Sequence, residues 1–152
     1  MKIGCLKEIK THEYRVGLIP SDIKSYVSRG HQVTMQQGAG EAAGFSDEEY
    51  RMAGAVIESE RKKIFDNCDM IVKVKEPLPE EYGLFHRDQI LYTYLHLAAD
   101  RVLTEAMLKA GIKGVAYETI ETAEGQLPCL QPMSEIAGRL SIQEGAKYLE
   151  KT

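Results

Sequence analysis

The chain has 152 residues, 43% of them hydrophobic and 28% charged, with a formal net charge of −4. That length and balance describe a soluble protein with one sizeable core. The acidic balance and a pI near 5.6 exclude a general nucleic-acid or anionic-membrane binder, which needs a basic face. No apolar run approaches the length that spans a bilayer. The first eight residues lack the long apolar stretch and cleavage site of a secretory leader, so a cytoplasmic location is expected. Cys5, Cys68 and Cys129 are odd in number and show no metal-ligand spacing. They are read as reduced structural thiols, and no metal site is expected.

In chain order, Lys2 to Leu6 reads as a first strand. Ser21 to Arg29 reads as a helix, with Pro20 before it and Gly30 closing it. Gln32 to Gln36 follows as a strand, and Ser46-Asp47-Glu48-Glu49 opens a second helix with acids at the positive end of its dipole. Ala55 to Ile57 reads as a short strand, Glu60 to Asn67 as a helix and Met70 to Val74 as a buried strand. Gln89 to Leu95 is a further strand, Arg101 to Ala110 a helix and Gly114 to Tyr117 a strand. This alternation predicts an α/β fold, a parallel sheet with helices on both faces. Gly125 to Pro132 resembles a linker, and the pattern from Met133 to Glu150 is one long helix with Ser134 as its N-cap. Residues 1–131 are thus expected to form one domain and 132–152 the start of an inter-domain helix. On that helix Ser134, Gly138, Ser141 and Gly145 make a stripe of small residues, which suits contact with a second domain or subunit.

Chemistry concentrates at strand ends. The run Lys73-Val-Lys75-Glu76-Pro77 ends an apolar strand, because proline cannot continue one inside a sheet. A lysine there can hold a carboxylate or polarise a carbonyl oxygen. Lys73 and Lys75 are rival candidates that spacing does not separate, and Glu76 can pair with either. His96 closes the next strand, and histidine is the residue type that gains and loses a proton near neutral pH. Arg15 lies in the polar loop after the first strand, where a guanidinium fork can grip a carboxylate through two hydrogen bonds. The carboxyl rim of a parallel sheet is where such folds bind small ligands. Gly38-Ala-Gly40-Glu-Ala-Ala43 fits a relaxed dinucleotide pattern, but Gly44-Phe45-Ser46 separates it from the next helix, so an ordinary turn is expected.

These residues resemble the N-terminal part of the alanine dehydrogenase and nicotinamide nucleotide transhydrogenase family. The likeness rests on Lys7-Glu8-Ile9-Lys10, Glu13-Tyr14-Arg15-Val16, Gly44-Phe45-Ser46-Asp47, Lys73-Val-Lys75-Glu76-Pro77, Tyr94-Leu-His96-Leu-Ala-Ala, Tyr117-Glu118-Thr119 and Pro132-Met133-Ser134-Glu135-Ile136-Ala137-Gly138. The intact Leu-His-Leu-Ala-Ala segment with Arg15, Lys75 and His96 favours the alanine enzyme. The resemblance implies a Rossmann-like or flavodoxin-like substrate domain and NAD-dependent interconversion of L-alanine with pyruvate and ammonia. It implies that Arg15 and Lys75 bind substrate, that Lys75 and His96 are catalytic, and that Met133 and Ser134 lie at the nicotinamide. A homohexamer is implied too. Such enzymes are over twice this length, so the chain is expected to be a piece of a longer protein, inactive alone. Alternatives are a stand-alone 2-oxo acid binding or oligomerisation module, or a transhydrogenase relative.

Overall fold

Eleven regular elements follow one another in the computed structural model, which describes residues 1–150. They are β1 (Lys2–Cys5), α1 (Pro20–Ser28), β2 (Gln32–Gln36), α2 (Asp47–Met52), β3 (Val56–Glu58), α3 (Arg61–Asn67), β4 (Met70–Val72), β5 (Ile90–Thr93), α4 (Arg101–Ala110), β6 (Lys113–Ala116) and α5 (Gln131–Leu149). Met1–Ala116 make one compact unit, and the residues from Tyr117 onward make a second.

In the first unit the short apolar runs become six strands of one all-parallel sheet, in the order β3-β2-β1-β4-β5-β6. The chain builds outward from β1 to β3, returns through α3 to the other side of β1, and builds outward again. Because parallel crossovers are right-handed, this reversal puts the helices of the two halves on opposite faces. The core divides accordingly. Ile23 of α1 and Tyr50 of α2 pack with Ile3, Val33, Met35 and Val72 on one face. Ile64 and Phe65 of α3, with Leu103 and Met107 of α4, pack with Leu6, Ile71 and Leu91 on the other.

Local chemistry fixes the helix ends. Ser46 caps α2 by accepting from the Glu49 N–H, while Glu49 accepts from the Ser46 N–H at 2.7 Å. Asp100 caps α4 by accepting from the Leu103 N–H at 2.9 Å, and Gly111 ends it at φ +69°.

Pairing of β1 with β4 stops at Cys5 and Val72, two residues before the end expected from the apolar run. Leu6 N–H still reaches the Val72 carbonyl at 3.4 Å. The next amides, of Val74 and Lys75, turn instead to the Glu8 carboxylate, at 2.6 and 3.3 Å. On its other side β4 keeps contact with β5, through the Tyr94 N–H and the Val74 carbonyl at 3.2 Å. The two central strands therefore splay at the point where the sheet order reverses, which is where open α/β sheets form their ligand crevice.

In the second unit a turn at Thr122 to Gln126 precedes α5. That helix starts at Gln131, so Ser134 is not its N-cap: it lies inside the first turn and its hydroxyl donates to the Leu130 carbonyl at 3.3 Å. Pro132 explains the earlier start, because a first-turn proline lacks only an amide hydrogen that the helix would leave unused.

Candidate active site

Three neighbouring strands, β1, β4 and β5, end on one rim, and the loops that leave them carry Arg15, Lys75 and His96. Lys75 is tied at both backbone groups. Its N–H donates to Glu8, and its carbonyl accepts from the Thr93 hydroxyl at 2.9 Å. Its side chain remains partly exposed. His96 has left-handed backbone angles, φ 50° and ψ 33°, at the exit from β5. Its ring stacks on Tyr94 with centroids 6.3 Å apart and planes at 18°. A non-glycine residue in that conformation costs free energy that the surroundings must offset, which is common at functional sites.

Arg15 meets Glu13 as a fork, Nε to Oε1 at 2.9 Å and Nη2 to Oε2 at 2.7 Å. That hydrogen bonding holds the Glu13 carboxyl below the usual carboxylate range, with the Lys75 charge adding to the effect. The same bonding raises Arg15, and the fields of Tyr94 and Glu8 add to it. Arg15 with Tyr94, Tyr94 with His96, and Glu13 with Lys75 are thus linked in pairs. A guanidinium, an ammonium and an imidazole on loops that leave neighbouring strand ends are groups of the kind that hold a small carboxylate and move a proton.

The two rival lysines have different surroundings. Lys73 has no exposed surface; its ammonium donates to Glu81 at 2.9 Å and lies 3.6 Å from Glu8. Arg61 donates to the same Glu81 oxygen at 3.2 Å, while the other oxygen accepts from the Leu78 N–H at 3.0 Å. Glu76 pairs with Lys10, and the field of Lys75 also acts on it.

Sequence reasoning missed Glu13, Glu8 and Tyr94 as parts of this rim. Glu13 and Tyr94 carry a signal in hindsight, each lying two residues before a candidate, Arg15 and His96. Glu8 carries none, because only the fold brings it to β4.

The Gly38–Gly40 segment is a structural turn. It leads into a single 3-10 turn at Glu41–Ala43 and not into a helix N-terminus. A Cβ on Gly40 would fall 2.5 Å from the Tyr50 ring, so packing against Tyr50 accounts for a glycine there. Met133 and Ser134 belong to the second unit, where Met133 is half-buried and Ser134 exposed.

Comparison with known proteins gives a consistent picture. Residues 4–137 match the family model described as alanine dehydrogenase/PNT, N-terminal domain. An alanine dehydrogenase of Methanococcus maripaludis is 53% identical over 151 residues, which cover 99% of this chain and 40% of that protein. A solved L-alanine dehydrogenase structure superposes with a TM-score of 0.92 at 52% identity, over 99% of this chain and 41% of its own. A transhydrogenase from Sinorhizobium meliloti superposes with a TM-score of 0.73 at 25% identity, over 78% of this chain and 35% of its own. The chain spans about 40% of the length of the curated relatives it matches.

Proposed function

This chain belongs to the alanine dehydrogenase/PNT N-terminal-domain family, and from that membership we propose that it is the substrate-binding part of an NAD-dependent L-alanine dehydrogenase. The reaction is L-alanine, NAD and water to pyruvate, ammonia and NADH, in either direction. The observation that carries this reading is the set of three basic side chains leaving adjacent strand ends at the switch point of the sheet. Identity of 53% with an alanine dehydrogenase, against 25% with the transhydrogenase, favours the alanine reaction.

In this mechanism Arg15 holds the substrate carboxylate by two hydrogen bonds, which fixes the orientation of the reacting carbon. Lys75 stabilises negative charge on the carbonyl or carbinolamine oxygen. His96 takes a proton from the attacking water as the carbinolamine forms and returns one as ammonia departs. The family implies a nicotinamide cofactor, which supplies the hydride acceptor when bound. The Gly38–Gly40 turn leads into a single 3-10 turn and not into a helix N-terminus, so it does not offer the usual cradle for the cofactor's pyrophosphate. Met133 and Ser134 are proposed as contacts on its nicotinamide side. The protein is read as a cytoplasmic homohexamer with α5 in subunit contacts. Ile136 and Leu140, exposed and one turn apart on α5, support a covered face there.

Titration calorimetry of the chain with pyruvate tests the reading. Binding that disappears in Arg15→Ala and in Lys75→Ala supports it, and absence of binding to the parent refutes it. Tight binding of NADH by this chain would instead return the Gly38 turn to consideration. In the dehydrogenase that carries this part, Lys75→Ala and His96→Ala should each lower turnover by about a hundredfold or more.

A further inference from the structure

We propose that Glu8 is a positioning residue for the substrate site, one that sets the placement of Lys75 by holding its backbone. The inference rests on the reading of Lys75 as a substrate ligand.

Where β1 and β4 part, the Val74 amide loses the β1 partner of a continued ladder, and the Lys75 amide turns to the same side chain. Buried amides without an acceptor are costly. Glu8 Oε1 accepts from both, at 2.6 Å from Val74 and 3.3 Å from Lys75. A single carboxylate oxygen thus replaces the missing strand and lets the crevice stay open without leaving its wall unsatisfied. The Glu8 side chain is 3% exposed, and its other oxygen has no hydrogen-bond partner. That second oxygen faces the Lys73 ammonium at 3.6 Å. The charged groups that act on Glu8 are Lys73, Glu81 and Arg15, and Cys5 lies within its field. Burial raises the Glu8 carboxyl above its ordinary range, against the pull of Lys73 and the two amides. Glu8 does not touch substrate in this arrangement; it acts through the height and direction of the Lys75 backbone.

The test is a pH titration by nitrogen–proton correlation NMR of the 152-residue chain, with pyruvate calorimetry on the same samples. An amide proton bonded to a carboxylate moves upfield when that carboxylate takes a proton. The Val74 and Lys75 amides should share one inflection, above the ordinary glutamate range, that vanishes in Glu8→Gln. Glutamine keeps an oxygen acceptor for both amides, so Glu8→Gln should bind pyruvate within about threefold of the parent. Glu8→Ala should bind it roughly tenfold more weakly or fail to fold, and in the latter case the Glu8→Gln arm carries the test. The proposal is overturned if the two amides do not titrate together, if the inflection survives in Glu8→Gln, or if folded Glu8→Ala binds pyruvate as the parent does. A parent that shows the shared inflection but binds no pyruvate would sink the substrate reading and leave the hold of Glu8 on Lys75 supported.

Discussion

Lys73 and Lys75 stand two residues apart at the end of one strand, and their ammonium groups have opposite surroundings. Lys73 is enclosed between Glu81 and Glu8, whereas Lys75 remains partly exposed on the rim and acts on Glu13. Their substitutions should therefore separate stability from binding. Lys73→Met removes the cation between two buried carboxylates and should cost about 3–5 kcal/mol in urea unfolding. Pairing it with Glu81→Gln should recover part of that loss, with a coupling of about 0.5–3 kcal/mol in a double-mutant cycle. Lys75→Ala should leave the unfolding midpoint nearly unchanged and abolish pyruvate binding. Equal stability of the two single variants would contradict the arrangement.

The glycine turn makes a second, independent prediction. A Cβ at Gly40 would lie 2.6 Å from the Tyr50 hydroxyl and 2.9 Å from the Phe45 carbonyl oxygen. That hydroxyl donates to the Leu18 carbonyl at 2.9 Å, which ties α2 to the loop before α1. Gly40→Ala must push the ring away and should cost about 1–3 kcal/mol. Gly44→Ala meets open space and bears only the strain of its φ of +88°. It should cost roughly 1–2 kcal/mol, with Tyr50 undisturbed. Near-ultraviolet circular dichroism, sensitive to the Tyr50 environment, should change in the first variant and not in the second.

Much of this architecture is legible in the residues alone. Strands buried on both faces in a parallel sheet appear as short apolar runs, and the helices between them carry readable signals such as Ser46 with Glu49, Asp100 and Gly111. Lys75 and His96 stand out because ionisable residues end apolar runs, and Arg15 because its polar loop follows the first strand. What stays hidden is convergence over long separations. Nothing near Lys73 in the chain announces that Glu8 will reach the end of β4, so the different surroundings of Lys73 and Lys75 and the early end of β4 are both invisible. The start of α5 misleads for a local reason: Ser134 is a good cap, but Pro132 suits the first turn and the helix begins at Gln131. The stacking of His96 on Tyr94 depends on a left-handed backbone that no spacing rule anticipates.

The cysteines allow a chemical check on the core. Cys5 has no exposed surface, and burial pushes its thiol from 9.0 up to about 12. The reactive thiolate fraction falls roughly a thousandfold with such a shift. Cys68 is buried as well, and burial raises its thiol in the same direction. Iodoacetamide at pH 8 should leave both unmodified in the native protein and alkylate both in urea. Peptide mass mapping distinguishes the sites. Rapid native labelling of Cys5 would mean that β1 is not the covered central strand described above.

Glu8 and Glu13 should give stability opposite dependences on pH. The folded state holds the Glu8 carboxyl above its ordinary 4.5, chiefly through burial. The native chain then binds a proton that the unfolded chain releases. Its contribution is fully present below 4.5 and is lost as pH rises through the folded-state value. Glu13 is held below 4.5, chiefly by its hydrogen bonds from Arg15. Its contribution is present above 4.5 and is lost as pH falls through the folded-state value. Urea unfolding at stepped pH should therefore show the parent minus Glu8→Gln difference declining as pH rises above 4.5. The parent minus Glu13→Gln difference should grow as pH rises toward 4.5 and then level off. Parallel slopes for the two would mean that burial does not dominate at Glu8, and that the splayed junction of β1 and β4 admits water.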